Sequence, residues 1–162
     1  MPAGSLPDAE ARPATPADLA ALVPLVDAAA TEKAAQKGGL VWSRRERRSG
    51  PIVDALAHAV DAPDYELAVG VWDGTVVGYA LARADRLADG GLLGVVDDLY
   101  VDPGAREVGI GEALMDHLLD WCRAQGCFGV DSIALPGDRA TKNFFESFGL
   151  VARAILVHKS LD

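Results

Sequence analysis

Residues 95–111 constrain the fold of this chain most, because they predict a strand, a turn and the start of a helix in close succession. Residues 95–101 are mostly β-branched or bulky, which is typical of a buried strand. Asp102-Pro103-Gly104 then marks a turn. After Glu112, apolar residues recur at helical spacing at Leu114, Met115, Leu118, Leu119 and Cys122. The sequence therefore predicts a strand that delivers a glycine-containing loop to a helix N-terminus.

Such a loop is suited to an anion. The first N–H groups of a helix have no partner within the helix, and the helix dipole places about half a positive charge there. Gly109 and Gly111 lack the Cβ atoms that would keep a ligand from the backbone, and Arg106 adds a permanent cation. A tight turn with close packing is an equally good explanation of Gly-x-Gly, so both readings stay open at this point. The loop matches neither the phosphate loop nor the dinucleotide fingerprint, which require Lys-Ser/Thr and a third glycine respectively.

Composition favours one domain. The chain has 162 residues, of which 50% are hydrophobic and 24% are charged, and this suits one α/β unit with a sizeable core. Residues 1–10 contain Pro2, Gly4 and Pro7 with little apolar content, and they predict a flexible tail. We therefore expect a single domain over residues 11–162.

The net charge of −9 restricts the partners of the chain. A negative field repels nucleic acid backbones and anionic membranes, whereas it attracts a cationic acceptor such as an amine. No apolar run is long enough to span a bilayer, and the N-terminus lacks a basic-then-apolar signal. We expect a cytoplasmic protein that binds neither nucleic acid nor a membrane.

The first part of the chain predicts an edge strand followed by helices. Pro13 lacks an N–H, so residues 11–14 are predicted to form a short edge strand. Thr15 is predicted to cap a helix that begins at Pro16 and stops before Gly38-Gly39. Apolar residues at helical intervals predict a second helix over residues 52–60.

Asp73-Gly74 is a strong signal for a β-hairpin. It predicts two antiparallel neighbours over residues 65–72 and 75–82. The strand after the central helix is predicted at residues 128–135, parallel to the strand before the glycine loop through a right-handed crossover. A last strand is predicted over residues 151–158, which are rich in Ile, Leu and Val.

Residues 101–111 resemble the signature of the GNAT superfamily of acetyl-CoA-dependent N-acetyltransferases. That signature is Arg/Gln-x-x-Gly-x-Gly/Ala after a strand ending in Val-x-Pro, and residues 106–111 read Arg-Glu-Val-Gly-Ile-Gly after Val101-Asp102-Pro103. Residues 138–150 read Asp-Arg-Ala-Thr-Lys-Asn-Phe-Phe-Glu-Ser-Phe-Gly-Leu, which is similar to the late helix of the family, Asn-x-x-Ala-x-x-Phe/Leu-Tyr before Gly-Phe. Two motifs in this order are more specific than either alone, and the resemblance runs from about residue 11 to the end.

The resemblance implies an α/β (α+β) fold with a mixed, mostly antiparallel central sheet flanked by helices. In this family, the strands on either side of the central helix splay apart, and the pantetheine arm of acyl-CoA inserts between them. Acetyl-CoA is therefore the implied cosubstrate, and no metal is implied. The implied cofactor-binding residues on the strand and loop are Leu99, Tyr100, Val101, Arg106, Glu107, Val108, Gly109, Ile110 and Gly111. The late helix adds Asn143 and Phe145, whereas Asp138, which replaces the usual Asn, is expected to cap its own helix.

Transfer to an amine needs a proton acceptor, because an alkylammonium with a pKa of about 10.4 is almost fully protonated at neutral pH. Asp97 and Asp98 are the candidates, since they lie on the strand next to the expected thioester. Adjacent strand residues point to opposite faces, so we expect only one of them to face the acceptor. Asp97 matches a Glu of polyamine-type relatives and is the preferred base, while Asp98 is expected to be structural. Acids on a strand are also ordinary edge residues, and this alternative stays open.

Phe145 departs from the family pattern, which has a tyrosine here that is thought to protonate the leaving thiolate. A phenyl ring cannot donate a proton, and general acid catalysis typically contributes about 10²- to 10⁴-fold. A thiol with a pKa of about 8.5 is nevertheless a tolerable leaving group. Water or Tyr79 is the alternative donor.

Residues 42–48 form a basic cluster in this acidic chain. A solvated surface is the simple explanation. In proteins that this chain resembles, the connection between the first two helices covers the acceptor pocket. The arginines of the cluster would then select an acceptor that carries a carboxylate or a phosphate besides its amine.

Three functions remain open. The first is an N-acetyltransferase acting on a small-molecule amine, such as an amino acid or a polyamine. The second, motivated by Phe145, is a catalytically weak acyl-CoA-binding regulatory module. The third is a protein N-terminal or lysine acetyltransferase, although residues 131–135 lack the Glu-Val-Arg element of ribosomal-protein acetylating relatives. The sequence does not identify the acceptor, and it leaves a homodimer possible without requiring one.

Overall fold

A computed structural model describes residues 8–46 and 50–161 of the chain. The described residues form one five-stranded sheet with helices on both faces. The strands are β1 Ala9–Pro13, β2 Tyr65–Trp72, β3 Thr75–Arg86, β4 Leu92–Val101 and β5 Gly129–Ser132. The helices are α1 Leu19–Ala34, α2 Gly39–Arg45, α3 Ile52–Asp61, α4 Ile110–Gln125 and α5 Arg139–Ser147, with short 3₁₀ turns at Pro16–Asp18 and Pro103–Ala105.

The strands lie in the order β1-β2-β3-β4-β5. The first three neighbouring pairs are antiparallel, and β4 and β5 are parallel because α4 carries the chain back across the sheet. Asp73 and Gly74 both have positive φ, at 48° and 75°, as a two-residue hairpin turn between β2 and β3 requires. The mixed, mostly antiparallel sheet flanked by helices is confirmed.

Each face of the sheet carries its own hydrophobic core. On one face, α4 buries Ile110, Leu114, Met115 and Leu118, and α5 adds Phe145. On the other face, α1 and α3 pack against β2 and β3, with Leu22, Val26, Leu56, Leu67, Val69, Tyr79 and Leu81 buried. Adjacent residues of β2 divide between the cores because strand side chains alternate between faces.

The predicted start of the first helix is confirmed. Thr15 is the N-cap, Pro16 opens the turn, and the Thr15 N–H donates to Oδ2 of Asp18 at 2.8 Å. Arg12 on β1 donates to both Asp18 carboxylate oxygens at 2.8 and 3.0 Å. These bonds from Arg12, opposed by burial and helped by Thr15, lower the pKa of Asp18 from 3.8 to about 2. The ion pair therefore ties β1 to the start of α1.

Several boundaries differ from the predicted ones. β1 begins at Ala9, two residues earlier than expected, because pairing with β2 orders Ala9 and Glu10. Residues 1–7 of the predicted tail lie outside the described residues. β3 continues to Arg86 because it pairs with β4 as far as Leu92, whereas β5 ends at Ser132, where its ladder with β4 ends.

The predicted last strand over residues 151–158 is wrong. Residues 151–161 have no regular secondary structure, and all are exposed. A strand requires the N–H and C=O groups of a neighbour, and no strand of the described chain pairs with this segment. No helix within the described ranges is both long and apolar enough to cross a membrane.

Candidate active site

A cleft opens where β4 and β5 part. The ladder between these strands runs from Leu93 opposite Gly129 to Val96 opposite Ser132. β4 then continues to Val101 while β5 ends. The Ser132 hydroxyl donates to the Val96 carbonyl at 3.0 Å, so a side chain rather than the backbone makes this hydrogen bond where the two strands part. Beyond this point, the β5-facing edge of β4 has no ladder partner in the part of the chain that the structure describes.

The cleft holds a cavity of about 280 Å³ between the end of β4, the start of α4 and one face of α5. Its lining includes seven residues of the predicted cofactor site, namely Leu99, Tyr100, Val101, Arg106, Glu107, Gly111 and Phe145. The sequence motifs therefore converge on one cleft, although residues 99 and 145 are far apart in the chain.

Four predicted cofactor residues do not line this cavity: Val108, Gly109, Ile110 and Asn143. The Ile110 side chain is buried in the core under α4. Gly109 is the N-cap of α4, with φ of 92° that favours glycine. On α5 the cavity face contains Ala140, Thr141, Phe144 and Phe145, and the exposed Asn143 lies off that face.

Arg106 is tied to the protein on three sides. Its Nε donates to the Val101 carbonyl at 2.9 Å, and its Nη2 donates to Glu32 of α1 at 3.1 Å. Its guanidinium carbon lies 5.4 Å from the centre of the Tyr100 ring. Arg106 therefore fixes the loop against β4 and α1, and Glu32 partly offsets its charge.

Glu107 has φ of 70°, in the left-handed region. A residue with a Cβ is disfavoured there by about 1–2 kcal/mol. Glu107 also lines the cleft, as do Glu32, Glu112 and Asp138. The cleft entrance is therefore more acidic than the motif alone suggested.

Asp138 caps α5, as predicted. Its carboxylate accepts from the Thr141 N–H at 3.0 Å and from the Thr141 hydroxyl at 2.5 Å. Burial raises the pKa of Asp138, but the bonds from Thr141, together with Gln36 and Lys33, lower it below its ordinary value overall.

A second cavity of about 380 Å³ lies between the sheet and helices α1 and α2. Its apolar wall includes Val26, Ala30, Ile52, Tyr65 and Leu81. It shares Lys33, Trp42, Tyr79, Asp97, Asp98 and Ile133 with the first cavity. The two cavities therefore meet at the acid pair of β4, and among the described residues of the predicted basic cluster it is Trp42 that reaches the junction. Arg47 and Arg48 of that cluster lie outside the described residues.

Asp97 and Asp98 both line the two cavities, so the expectation that only one of them faces the acceptor is wrong. The reason is a β-bulge in β4. Leu81 of β3 lies opposite Asp98 and Ala82 lies opposite Val96, which leaves Asp97 as an extra residue. A bulge interrupts the alternation of side chains and redirects one of them.

The two carboxylates have different partners. Oδ1 of Asp97 accepts a hydrogen bond from Nη1 of Arg83, and Nε of the same arginine donates to Oδ1 of Asp85 at 2.8 Å. Burial lowers the pKa of Arg83, but its two carboxylate partners raise it above its ordinary value overall. Asp98 instead accepts from the hydroxyl of Tyr79, with 3.3 Å between Oδ2 and the phenol oxygen, and the Tyr79 ring is buried.

Sequence reasoning missed Arg83, Lys33 and Glu32 as residues of this region. Arg83 falls just beyond the predicted end of β3, so its approach to Asp97 depends on a strand extension that only pairing reveals. Lys33 lies over the Trp42 ring, 4.9 Å from its centroid, through a contact between two helices. The signal that would have identified Arg83 is a basic residue on a hairpin strand whose neighbouring strand carries a pair of acids.

Comparisons with known proteins agree with this geometry. The chain matches the sequence model of the Acetyltransferase (GNAT) family over residues 29–150, and it belongs to that family. Members of the family generally use acetyl-CoA as cosubstrate. A comparison with curated proteins gives no significant match.

Solved structures share the fold at low sequence identity. An acetyltransferase from Trypanosoma brucei is 23% identical, with 95% of this chain and 100% of that chain covered and a TM-score of 0.67. Glucosamine-6-phosphate N-acetyltransferase from Arabidopsis thaliana is 17% identical, with 95% and 99% covered and a TM-score of 0.67. An aminoglycoside acetyltransferase from an uncultured soil metagenomic sample, solved in complex with sisomicin, is 18% identical, with 95% of both chains covered and a TM-score of 0.68. The family match and the shared fold thus place this chain among the GNAT acetyltransferases.

Proposed function

We propose that this protein is an N-acetyltransferase that moves an acetyl group from acetyl-CoA to a primary amine of a small molecule by direct attack on the thioester. The observation that carries this proposal is the junction of the two cavities at Tyr79, Asp97 and Asp98. One cavity follows the unpaired edge of β4, and the other is a separate chamber beside it. Such an arrangement brings a cosubstrate and an acceptor together from different sides.

The cleft residues fit acyl-CoA. Leu99 and Val101 present backbone groups to the strand edge that β5 leaves uncovered, where an extended pantetheine arm would bind, although the Val101 carbonyl already accepts from Arg106. The backbone N–H groups of residues 108–111 surround the N-terminus of α4, which attracts a pyrophosphate. Gly111 lines the cleft without a side chain and leaves that approach open.

The chamber suits an amine. Asp97, Asp98 and Glu46 line it, and they attract an ammonium group to the junction. Lys33 and Arg83 also line it and offer cationic contacts to an anionic substituent of the acceptor. An amine with a neighbouring carboxylate or phosphate matches both sets of charges.

Asp98 is the better placed proton acceptor in this proposal. Oδ1 of Asp97 is bonded to the permanent cation Arg83, whereas Oδ2 of Asp98 accepts from the Tyr79 hydroxyl, the donor that can pass a proton to the leaving thiolate. The acceptor's ammonium first loses one proton to solvent, and the nitrogen of the resulting neutral amine forms the bond to the thioester carbonyl carbon. As the carbon–sulfur bond breaks, the nitrogen gives a second proton to Asp98, which leaves a neutral amide. The leaving thiolate then takes a proton, for which the Tyr79 hydroxyl at the junction is the available donor, and the phenol is reprotonated through Asp98.

Calorimetric titration with acetyl-CoA and with free CoA tests the cofactor site. Gly111→Leu adds bulk at a helical position without positive φ and fills the cleft. Asp116→Leu adds the same bulk to an exposed position of α4 that does not line the cleft. We expect saturable binding by the native chain and by Asp116→Leu, and loss of binding by Gly111→Leu. Absence of binding by the native chain would refute the proposal.

An amine screen with thiol-release detection then tests turnover. It compares amino acids, amino sugars, polyamines and simple alkylamines at saturating acetyl-CoA. Phe145 favours one competing function, a regulatory module that binds acyl-CoA without transferring it. Tight cofactor binding with no turnover on any amine would support that module instead.

A further inference from the structure

Two cysteines lie on either side of the end of α4, and the proposed acetyl transfer uses neither of them. They are Cys122 and Cys127, the two cysteines of the chain, and both are free thiols. Cys122 is 1% exposed, and a Cβ placed on Gly94 of β4 would lie 2.6 Å from its Sγ, so the sulfur fills the space above that glycine. Cys127 lies just before β5 and is half-buried. One thiol is thus part of the core, whereas solvent reaches the other.

The chain reverses between the two cysteines in a Schellman motif. Gly126 has a φ of 84°, in the left-handed region that glycine adopts readily. The Cys127 N–H donates to the Cys122 carbonyl at 3.0 Å, and the Gly126 N–H donates to the Arg123 carbonyl at 3.0 Å. These two hydrogen bonds define the motif, and the side chains at its outer positions, here 122 and 127, frequently contact each other. Burial, together with the neighbouring Cys127 thiol, raises the pKa of Cys122 to about 11, which agrees with such a contact.

The end of α5 has the same motif with ordinary apolar side chains. Gly149 has the same φ of 84°, the Leu150 N–H donates to the Phe145 carbonyl at 3.1 Å, and the Gly149 N–H donates to the Glu146 carbonyl at 2.9 Å. The outer positions are thus Phe145 and Leu150, which belong to one hydrophobic core. At the end of α4, two thiols occupy the equivalent positions. The fold therefore holds side by side the two groups from which a disulfide can form.

A pair of thiols forms a disulfide by exchange with a small-molecule disulfide. The accessible Cys127 thiolate attacks one sulfur of the small disulfide, which releases one small thiol and leaves a mixed disulfide on Cys127. The Cys122 thiolate then attacks the Cys127 sulfur and releases the second small thiol. Both cysteines are oxidised, the small disulfide is reduced to two thiols, and the two protons that the cysteines lose pass to the released thiolates. The raised pKa of Cys122 keeps this thiol protonated at neutral pH, so the second step is the slower one.

We propose that Cys122 and Cys127 form a reversible oxidation site, at which a disulfide links the end of α4 to the start of β5 under oxidising conditions. The Schellman motif already folds the chain back between them, so closing the bond in the native fold loses little additional chain entropy. The crosslink lies where the Phe128 N–H donates to the Leu92 carbonyl, at the end of the β4–β5 ladder away from the cleft. Oxidation therefore stabilises the domain at a distance from the site of acetyl transfer.

Equilibration with reduced and oxidised glutathione tests the site. We expect the folded chain to lose both free thiols and the mass of two hydrogen atoms while it remains a single chain on a non-reducing gel, and dithiothreitol should restore both thiols. Trypsin cuts after Arg123, between the cysteines, so the bond should join the peptides of residues 107–123 and 124–139. Cys122→Ser and Cys127→Ser each remove one partner, and neither variant should give the joined peptides. Free thiols that persist in the native chain, a stable mixed disulfide with glutathione, or crosslinks only between chains overturn the proposal.

A second measurement tests whether the fold favours the disulfide. The equilibrium constant for disulfide formation against glutathione is measured in the native chain and in the chain unfolded by urea. We expect it to be at least about 10-fold larger in the native chain, because a disulfide that fits the native turn stabilises the fold by the same factor. Gly126→Ala strains the turn between the cysteines, whereas Gly149→Ala strains the equivalent turn of α5, and only the first should lower the native constant. An equal or smaller constant in the native chain overturns the proposal. None of these readouts depends on CoA binding or on turnover.

Discussion

Tyr79 donates its hydroxyl hydrogen to Oδ2 of Asp98 over 3.3 Å, at the junction of the two cavities. The phenol comes from β3 and the carboxylate from the bulged part of β4, so strand pairing brings the two groups together. The neighbouring Asp97 is bonded instead to Arg83. One strand thus places one acid against Arg83 and the next against Tyr79.

The first prediction concerns the division of roles between these acids. Asp98→Asn is expected to lower kcat by about 10²-fold or more, because the proton acceptor is lost. Asp97→Asn is expected to change kcat less, since its main contact is the ion pair with Arg83. Steady-state kinetics with a saturating amine measures both effects, and calorimetry should show unchanged CoA affinity in both variants. A larger loss of kcat in Asp97→Asn would reverse the assignment.

The second prediction concerns the position at which the family pattern has a tyrosine. Phe145→Tyr adds a hydroxyl group to a ring that lines the cleft. The variant should have a higher kcat, because the phenol supplies a general acid. Phe144→Tyr is the matched control, because its ring also lines the cleft, with its centre 5.8 Å from that of Phe145. Stopped-flow or steady-state assays at saturating amine measure the change. An unchanged rate in Phe145→Tyr would show that the chain does not lack a proton donor.

The third prediction concerns Glu107 in the loop before α4. Glu107 has a Cβ and adopts a left-handed φ of 70°, which is strained. Glu107→Gly relieves this strain and also removes a negative charge from the cleft. Glu107→Gln removes the charge alone. We expect tighter CoA binding in both variants, and a higher melting temperature only in Glu107→Gly. Equal CoA affinity in the native chain and both variants would mean that the carboxylate lies far from the bound phosphates.

The fourth prediction concerns the partly buried ion pair of Arg12 and Asp18. The pKa of Asp18 is lowered from 3.8 to about 2 on folding, so its ionised form stabilises the fold by about 2 kcal/mol at neutral pH. This contribution is complete well above pH 3.8 and is lost as the pH falls through about 2. Asp18→Asn should therefore be less stable at pH 7, and the difference should shrink with acidification. Asp120→Asn, which breaks an exposed pair with Arg123, should change stability by at most about 1 kcal/mol.

Urea unfolding from pH 7 to the lowest pH at which all three proteins unfold cooperatively measures this effect. A stability difference between the native chain and Asp18→Asn that stays constant with pH would show that the ion pair is not its source. In that case the loss would come from the cap alone, because the Thr15 N–H also bonds to Asp18.

Local sequence signals predicted most of the elements. The hairpin at Asp73-Gly74 and the cap at Thr15 both depend on backbone preferences of a few neighbouring residues. The strand, the loop and the helix of residues 92–125 are predicted in the same way, from the spacing of the hydrophobic residues and from the turn residues. For this reason, the two motifs that meet at the cleft could be located before the fold was known.

The tertiary structure decided the chemistry at the centre of the site. Only the pairing of β3 with β4 shows that Asp97 is the extra residue of a bulge, that both acids face the cavities, and that Arg83 reaches one of them while Tyr79 reaches the other. The fate of residues 151–161 also depends on pairing, because their composition predicts a strand but does not say which edge receives it. Backbone preferences act between near neighbours in the chain, so the sequence by itself determined the elements and their motifs. Strand register and ion pairs join residues distant in the chain, and these were decided only by the packed fold.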